Sequence, residues 1–424
     1  MKVIIIGGGI GGITLACKLA LKGVIAEIFD AAPRLDPIGL GVNLLPHAAE
    51  IMQEIGVLAD IAARAVETYE STFFNRFGQH IFSEPAGLRA GYALPQYSVH
   101  RGDLHGAMLR RFIEVAGNEH IHTSHRCVGF DQGHNGVTAH FEDPQSGAVL
   151  PSVRGDVLIG ADGIHSVIRK KLHPDEGGPV YSGVNMWRGS IVHKPFLNGA
   201  NMVRIGWLST GKLVVYPIRN NVDGFGNQLI NWVVEIETPH HKDKRDWNKE
   251  GSIDDFIGAF EDMRFDWLDV PAMLRGTEKV LEYPMVDQDP LPFWTQGRVT
   301  LMGDAAHPMY PRGSNGACQA IIDGKALADA LLSHEQPAAA FKSYEDERRP
   351  STTKVVLTNR SMPPDIILKE VFERTGDKPF EDINDVISVE ELVRLSNNYK
   401  KIAGYDREHL GARASGPQIT GNTI

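Results

Sequence analysis

Val3-Ile4-Ile5-Ile6-Gly7-Gly8-Gly9-Ile10-Gly11-Gly12 opens the chain and decides how the rest is read. Four β-branched residues in a row show no inside–outside alternation, so they predict a strand covered on both faces, as in a parallel sheet. Beyond the glycines, Ile13, Ala16, Cys17 and Ala20 recur on one side of a helix. Gly7-x-Gly9-x-x-Gly12 therefore sits between a strand and a helix. There the first glycine permits the tight turn, the second lets a pyrophosphate approach the backbone, and the third lets helix and strand pack closely. The unsatisfied N–H groups at the helix start attract phosphate. Val24 to Phe29 predicts a second strand, ending at Asp30, where a carboxylate can accept hydrogen bonds from an adenosine ribose. The motif predicts a dinucleotide and leaves NAD and FAD equally open.

Two more glycine-centred segments follow buried-strand signals. Gly160-Ala161-Asp162-Gly163-Ile164-His165-Ser166 comes after Val157-Leu158-Ile159, with Arg169 beyond it. Taken alone it is as readily an Asp-Gly turn. Gly303-Asp304-Ala305-Ala306-His307-Pro308 comes after Val299-Thr300-Leu301-Met302, and Pro311 with Gly313-Ser314-Asn315-Gly316 leads into a further helix. A carboxylate at Asp304 can bind the hydroxyls of a polyol chain, or simply cap its own turn. Backbone N–H groups at 313–316 favour negative charge. In this order and at these separations, the three loops predict one extended cofactor touched at three places.

Composition bounds the rest. The chain has 424 residues, 42% hydrophobic and 23% charged, and a formal net charge of -10, which argues against a nucleic-acid partner. Cys17, Cys127 and Cys318 have neither metal-ligand nor disulfide-framework spacing, so the expectation is no metal and a reducing cytoplasm. No apolar run is long enough to span a bilayer, and with a first strand starting at Lys2 or Val3 no cleavable leader is expected. The expected partners are small molecules, with no membrane, and a monomer or homodimer.

The predicted fold is α/β. A Rossmann-like domain with a parallel sheet is expected from residues 1–180 and 289–361, interrupted by a mostly antiparallel sheet domain over 181–288. Val184-Asn185-Met186-Trp187, Leu213-Val214-Val215-Tyr216 and Ile230-Asn231-Trp232-Val233 carry that second sheet, with a helical interval near 253–275. Residues 31–46 read as a loop, and 47–67 and 99–117 as helical. Residues 362–424 predict a helical region with a loose tail from Gly411. The mixed-sign run His240 to Asp246 predicts a solvated loop.

The set GGGIGG, GADGIHS and GDAAHPMYPRGSNG resembles the single-component FAD-dependent aromatic hydroxylases, the class A flavoprotein monooxygenases of the para-hydroxybenzoate hydroxylase type. The resemblance covers roughly residues 1–361. Within the family, PIGLGVNLLP, PQYSVHRGDL, MWRG and YPMVDQDPLP look most like the phenazine-modifying branch. It implies FAD as cofactor, NADH or NADPH as electron donor, and hydroxylation of an aromatic or heteroaromatic, carboxylated small molecule with O2. Gly7, Gly9, Gly12 and Asp30 would hold the FAD pyrophosphate and adenosine ribose, with Arg34 and Arg101 among the cofactor-binding residues. Asp162 would serve the motif shared between FAD and the nicotinamide cofactor. Gly303 and Asp304 would bind the ribityl chain. Pro311, Gly313, Asn315 and Gly316 would border the isoalloxazine ring, with Pro311, Gly313 and Gly316 placed at the reacting centre. Tyr310 stands where the family often has Pro, and Cys318 where it often has Asn.

Trp187, Arg188, Tyr216, Trp232 and Tyr310 are the candidate substrate residues, with Arg188 as carboxylate anchor. For the aromatic residues, core packing is the competing reading. His307 is expected to support the flavin loop rather than to act as acid or base. Two alternatives remain: another FAD oxidoreductase of this fold (epoxidase, halogenase or reductase), or a flavin-bound interaction module. No Trp-x-Trp pair supports a halogenase.

Overall fold

A computed structural model describes residues 1–35, 39–239 and 249–406 of the chain. The run His240 to Asp246 and the tail from Gly411 lie outside the described residues. No helix among the described residues is long and apolar enough to cross a membrane.

The opening strand, Val3–Ile6, is fully buried and pairs in parallel with Ala26–Phe29 on one side and Val157–Gly160 on the other. The sheet has six strands, ordered Thr295–Gln296, Val299–Leu301, Val157–Gly160, Val3–Ile6, Ala26–Phe29 and Ile121–His122. Only its edge pair, Thr295–Gln296 with Val299–Leu301, is antiparallel. The helices Ile10–Ala20 and Gly316–Ser333 pack against each other beside it, and Arg101–Ala116 lies against the first of them. All three glycine loops thus leave the same carboxyl edge of neighbouring parallel strands, where α/β sheets bind ligands.

A second sheet of eight strands carries Val180–His193, Asn201–Trp207, Gly211–Arg219, Gln228–Glu237 and Leu281–Asp287, edged by Lys249–Glu250. Its remaining strands, Glu70–Phe74 and His80–Pro85, come from far upstream, and Glu70–Phe74 pairs in parallel with Asn201–Trp207. The strand Glu70–Phe74 and its hairpin partner His80–Pro85 are not evident from the sequence, because what joins the pair to the sheet lies more than 120 residues away.

Residues 31–46 are not all loop: Gly41–Leu44 is a strand, paired antiparallel with Tyr97–His100. Nor is 47–67 one helix. Gly56, in the left-handed region at φ 87°, ends the helix Pro46–Ile55, and a short helix and a strand follow. The interval 253–275 holds 3-10 turns, a small hairpin and the helix Val270–Arg275. After the long helix Pro337–Ser361, the helices Ile366–Thr375 and Val389–Ala403 close over the second sheet and the Pro311–Ser314 loop.

Candidate active site

A cavity of about 430 Å³ runs from the Gly9–Gly11 turn, past Arg101 and Asp304, to the Pro311–Gly316 loop, and ends under the second sheet. Its nucleotide side is shaped by missing side chains. A Cβ on Gly7 would lie 2.2 Å from the Ala161 carbonyl oxygen, and one on Gly12 would lie 2.1 Å from the Gly7 oxygen. A Cβ on Gly9 would meet nothing within 4 Å, so that glycine faces open cavity. The helices Ile10–Ala20 and Gly316–Ser333 both begin at this cavity, and neither has a side-chain cap. Their first N–H groups are left for a ligand, and the helix dipoles favour an anionic one. A dinucleotide whose central pyrophosphate meets one helix start and whose electron-accepting ring meets the other fits both.

Side chains stiffen these loops. The Asp30 carboxylate accepts from the Gly8 N–H at 2.8 Å and from the Ala32 N–H at 2.8 Å, fixing the end of the second strand against the glycine turn. Buried His105 donates from Nε2 to the Gly8 carbonyl at 2.6 Å, and desolvation holds its pKa below the usual imidazole range. Arg169 donates to the Ala305 and Ala306 carbonyls at 3.1 and 2.9 Å, tying the second glycine loop to the third. Beneath the third loop, Asp323 accepts from the Gly303 N–H at 2.9 Å, His307 Nε2 at 2.6 Å and Arg348 Nε at 2.7 Å. Burial pushes the Asp323 carboxyl up, but His307 and Arg348 outweigh it and hold it at about 2. Asp304 faces the cavity, and surrounding protein raises its pKa by desolvation. Arg34 is exposed beyond Asp30.

The opposite wall is one face of the second sheet. Cross-strand register sets Arg188, Val233, Val214 and Arg204 in a single row over four strands. Met186 and Glu235 lie to one side of that row, and Tyr216 and Met202 to the other. Burial raises the Tyr216 pKa, so its hydroxyl stays protonated at neutral pH. Arg188 donates from Nη2 to the Gly41 carbonyl at 3.0 Å, while its buried Nε has no partner. Among the described residues no carboxylate pairs with Arg188, which leaves its charge uncompensated at the cavity wall. Arg188 as a whole is half-buried, and an arriving anion relieves the cost of holding it there unpaired.

Three of the expected substrate residues are placed elsewhere. Trp187 and Trp232 face away from the cavity and pack on Phe256, and Trp232 donates from Nε1 to Thr277 at 2.9 Å. The reason is parity: side chains alternate across a strand, so 187 and 232 point opposite to 186, 188 and 233. Tyr310 is buried among Val184, Met186, Leu208 and Met285, with its hydroxyl donating to the Val180 carbonyl at 3.3 Å and its pKa pushed up to about 12 by burial. It packs on the same face of the sheet as Met186, next to the cavity, without lining it. Asp162 also turns inward: it accepts from Ser166 Oγ at 2.6 Å and the Val167 N–H at 2.8 Å, capping a short helix. Its neighbours Ala161, Gly163 and Ile164 line the cavity instead.

The sequence reading missed Asn43, Arg204, Glu235 and Asp365, all of which line the cavity. Asn43 donates to Ser314 Oγ at 3.2 Å and accepts from Ser98 Oγ at 2.8 Å, linking the strand Gly41–Leu44 to the Pro311–Gly316 loop. It lies within the PIGLGVNLLP segment that carries part of the resemblance, the one signal that could have found it.

Comparison with known proteins agrees with this geometry. The family described as FAD binding domain matches residues 1–187 and 285–359. The phenazine 1,6-dicarboxylic acid hydroxylase of Lysobacter antibioticus is 35% identical over 411 residues, covering 96% of this chain and 98% of that protein. The 3-hydroxybenzoate 6-hydroxylase of Polaromonas naphthalenivorans is 30% identical, covering 85% and 87%. Among solved structures, Klebsiella pneumoniae HpxO with FAD and uric acid superimposes with a TM-score of 0.73 at 20% identity, over 97% of each chain. A salicylate hydroxylase substrate complex superimposes at 0.71 and 22% identity, over 99% of each chain.

Proposed function

The chain belongs to the single-component FAD-dependent aromatic hydroxylases, and on that premise we propose that it hydroxylates a flat heteroaromatic acid whose carboxylate sits on Arg188. The protein is an FAD-dependent aromatic monooxygenase with NAD(P)H as donor. When bound, FAD supplies the redox chemistry, taking electrons from the nicotinamide and activating O2. The chain's own residues bind, orient and shield.

We assign residues 1–180 and 289–361 to holding the cofactor, and the 181–288 sheet, completed by strands from 70–85, to holding the substrate. Gly7, Gly9 and Gly12 admit the pyrophosphate, Asp30 the ribose and Asp304 the ribityl hydroxyls. Arg101 borders the phosphates or ribityl chain, and Arg34, beyond Asp30, serves the adenosine end. Pro311, Gly313, Asn315 and Gly316 line the ring. Val214 and Val233 offer a flat apolar floor that excludes water, which strengthens every polar contact made there. Protonated Tyr216 donates a hydrogen bond to a ring substituent and orients the carbon to be attacked. Three buried, unpaired cysteines support a reducing, cytoplasmic setting.

The single observation that carries the substrate reading is the uncompensated Arg188 at the floor of the cavity. Charge-assisted hydrogen bonds contribute about 1.5–3 kcal/mol, so Arg188→Met should weaken binding of a ring carboxylate about 10- to 100-fold. The flavin content of the purified protein and its affinity for the matching carboxamide should hold. The measurement is a titration followed through the bound flavin's absorbance. Equal losses for acid and amide would remove Arg188 from the anchor role.

A further inference from the structure

We propose that Asp365, from the C-terminal region, is a specificity-determining residue that limits the substrate to one ring carboxylate by cancelling the charge of Arg204. This rests on the reading that Arg188 holds that carboxylate.

Arg188 and Arg204 stand at the two ends of the same row, with Val233 and Val214 between them. Neighbouring strands lie about 4.8 Å apart, so the two backbones are about 14 Å apart across three gaps. Two arginines flanking an apolar floor would clamp a flat ring with an acid group at each end. The two ends nevertheless differ. Arg188 meets no carboxylate among the described residues, whereas Arg204 Nε lies 3.0 Å from Asp365 Oδ1. Arg204 also donates to Ser71 Oγ at 2.8 Å and to Met202 Sδ at 3.4 Å, which leaves its guanidinium few free donors. The other Asp365 oxygen takes Lys212 Nζ, which in turn donates to Glu235 Oε2 at 2.9 Å.

The ion-paired group that holds Arg204 therefore has two cations and two carboxylates that cancel among themselves, and Arg312, on the neighbouring loop, is a further charge acting on Asp365. All four groups are almost wholly buried, Lys212 at 1% exposure. Asp365 occupies the N-cap position of the helix Ile366–Thr375, yet its side chain makes no capping bond. Its carboxylate is committed to the substrate sheet instead. Asp365 lines the cavity beside Arg204, and Glu235 lines it from the strand between those of Arg188 and Lys212. A second substrate carboxylate arriving there would lose its hydration and gain little from Arg204, whose charge Asp365 already holds. A neutral substituent able to hydrogen bond is accepted at lower cost.

The test uses the flavin-loaded protein with phenazine-1-carboxylate and phenazine-1,6-dicarboxylate as probes, each titrated to an equilibrium Kd by flavin absorbance. The wild type should bind the mono-acid at least about tenfold more tightly, a factor equivalent to about 1.4 kcal/mol. Asp365→Asn frees one positive charge and should move the ratio of the two Kd values about tenfold toward the di-acid. Asp365→Glu keeps the charge and should keep the wild-type ratio. If Asp365→Asn does not accumulate, Glu235→Gln removes one negative charge from the same cluster and should move the ratio the same way. A wild type that prefers the di-acid overturns the proposal. So does a ratio that moves equally in the Asn and Glu variants, because shape rather than charge would then be at work. Arg188→Met separates the two readings. If it weakens the mono-acid while Asp365→Asn leaves the ratio unmoved, only the present inference fails. If it leaves mono-acid binding intact, the anchor fails first.

Discussion

Asp323 accepts hydrogen bonds from the Gly303 N–H, His307 and Arg348, with no exposure to solvent. Its folded pKa of about 2 lies below the ordinary 3.8, so its ionised form stabilises the folded state. That contribution is fully present above about pH 4 and is lost as the pH falls through about 2; the size of the shift corresponds to about 2 kcal/mol. The stability gap between the wild type and Asp323→Asn should stay constant near neutral pH and narrow by about that amount in acid. Urea unfolding at stepped pH measures it, and a gap that does not change down to about pH 2 would contradict the assignment. At this scale the sequence was half legible. Gly7, Gly12 and Asp304 announce themselves because their constraint is local: a turn, a close approach, a loop after a strand. Asp323 and His105 carry no such local sign; each sits mid-helix, and only the fold brings it under a glycine loop.

Gly41–Leu44 shows what an element of four residues can do between two sheets. The Gly41 N–H donates to Asn231 Oδ1 at 2.8 Å, and its carbonyl accepts from Arg188. A Cβ on Gly41 would lie 2.8 Å from both Asn231 Cγ and Tyr216 Cε2. Overpacking of this kind costs about 1–3 kcal/mol, so Gly41→Ala should lower the melting temperature and loosen ring binding, while flavin stays bound. Thermal melts and substrate titration check this; unchanged stability with unchanged affinity would show that the contact relaxes freely. The same scale explains the misplaced tryptophans. The strands at 184–187, 213–216 and 230–233 were legible from their alternation and aromatic content. Which parity faces the cavity was not, because both faces are covered: one by the cofactor side, the other by Phe256, Phe260 and Met273. Aromatic bulk marked Trp187 and Trp232, while the residues one step away, Arg188 and Val233, form the wall.

Across the whole molecule, the first sheet and its helices were readable from buried runs and the glycine loops after them, since strands covered on both faces read as continuous apolar runs. The closure of the second sheet was not, because Glu70–Phe74 joins it across a long separation and Asp365 reaches it from the C-terminal region. The three thiols offer a way to watch the assembled molecule. Cys17 donates to the Met108 carbonyl at 3.4 Å and Cys318 to the Asn43 carbonyl at 3.3 Å, and burial pushes both pKa values up to about 12. Each lies on a helix that begins at the cofactor cavity. Thiolates, not thiols, react with alkylating reagents, so neither should label while the fold is closed. Peptide-resolved alkylation should then find Cys318 and Cys17 reacting sooner after flavin removal than before it, a rate governed by local opening. These two sulfur atoms thus act as silent clocks, recording how often the nucleotide layer breathes without any need to see the yellow colour.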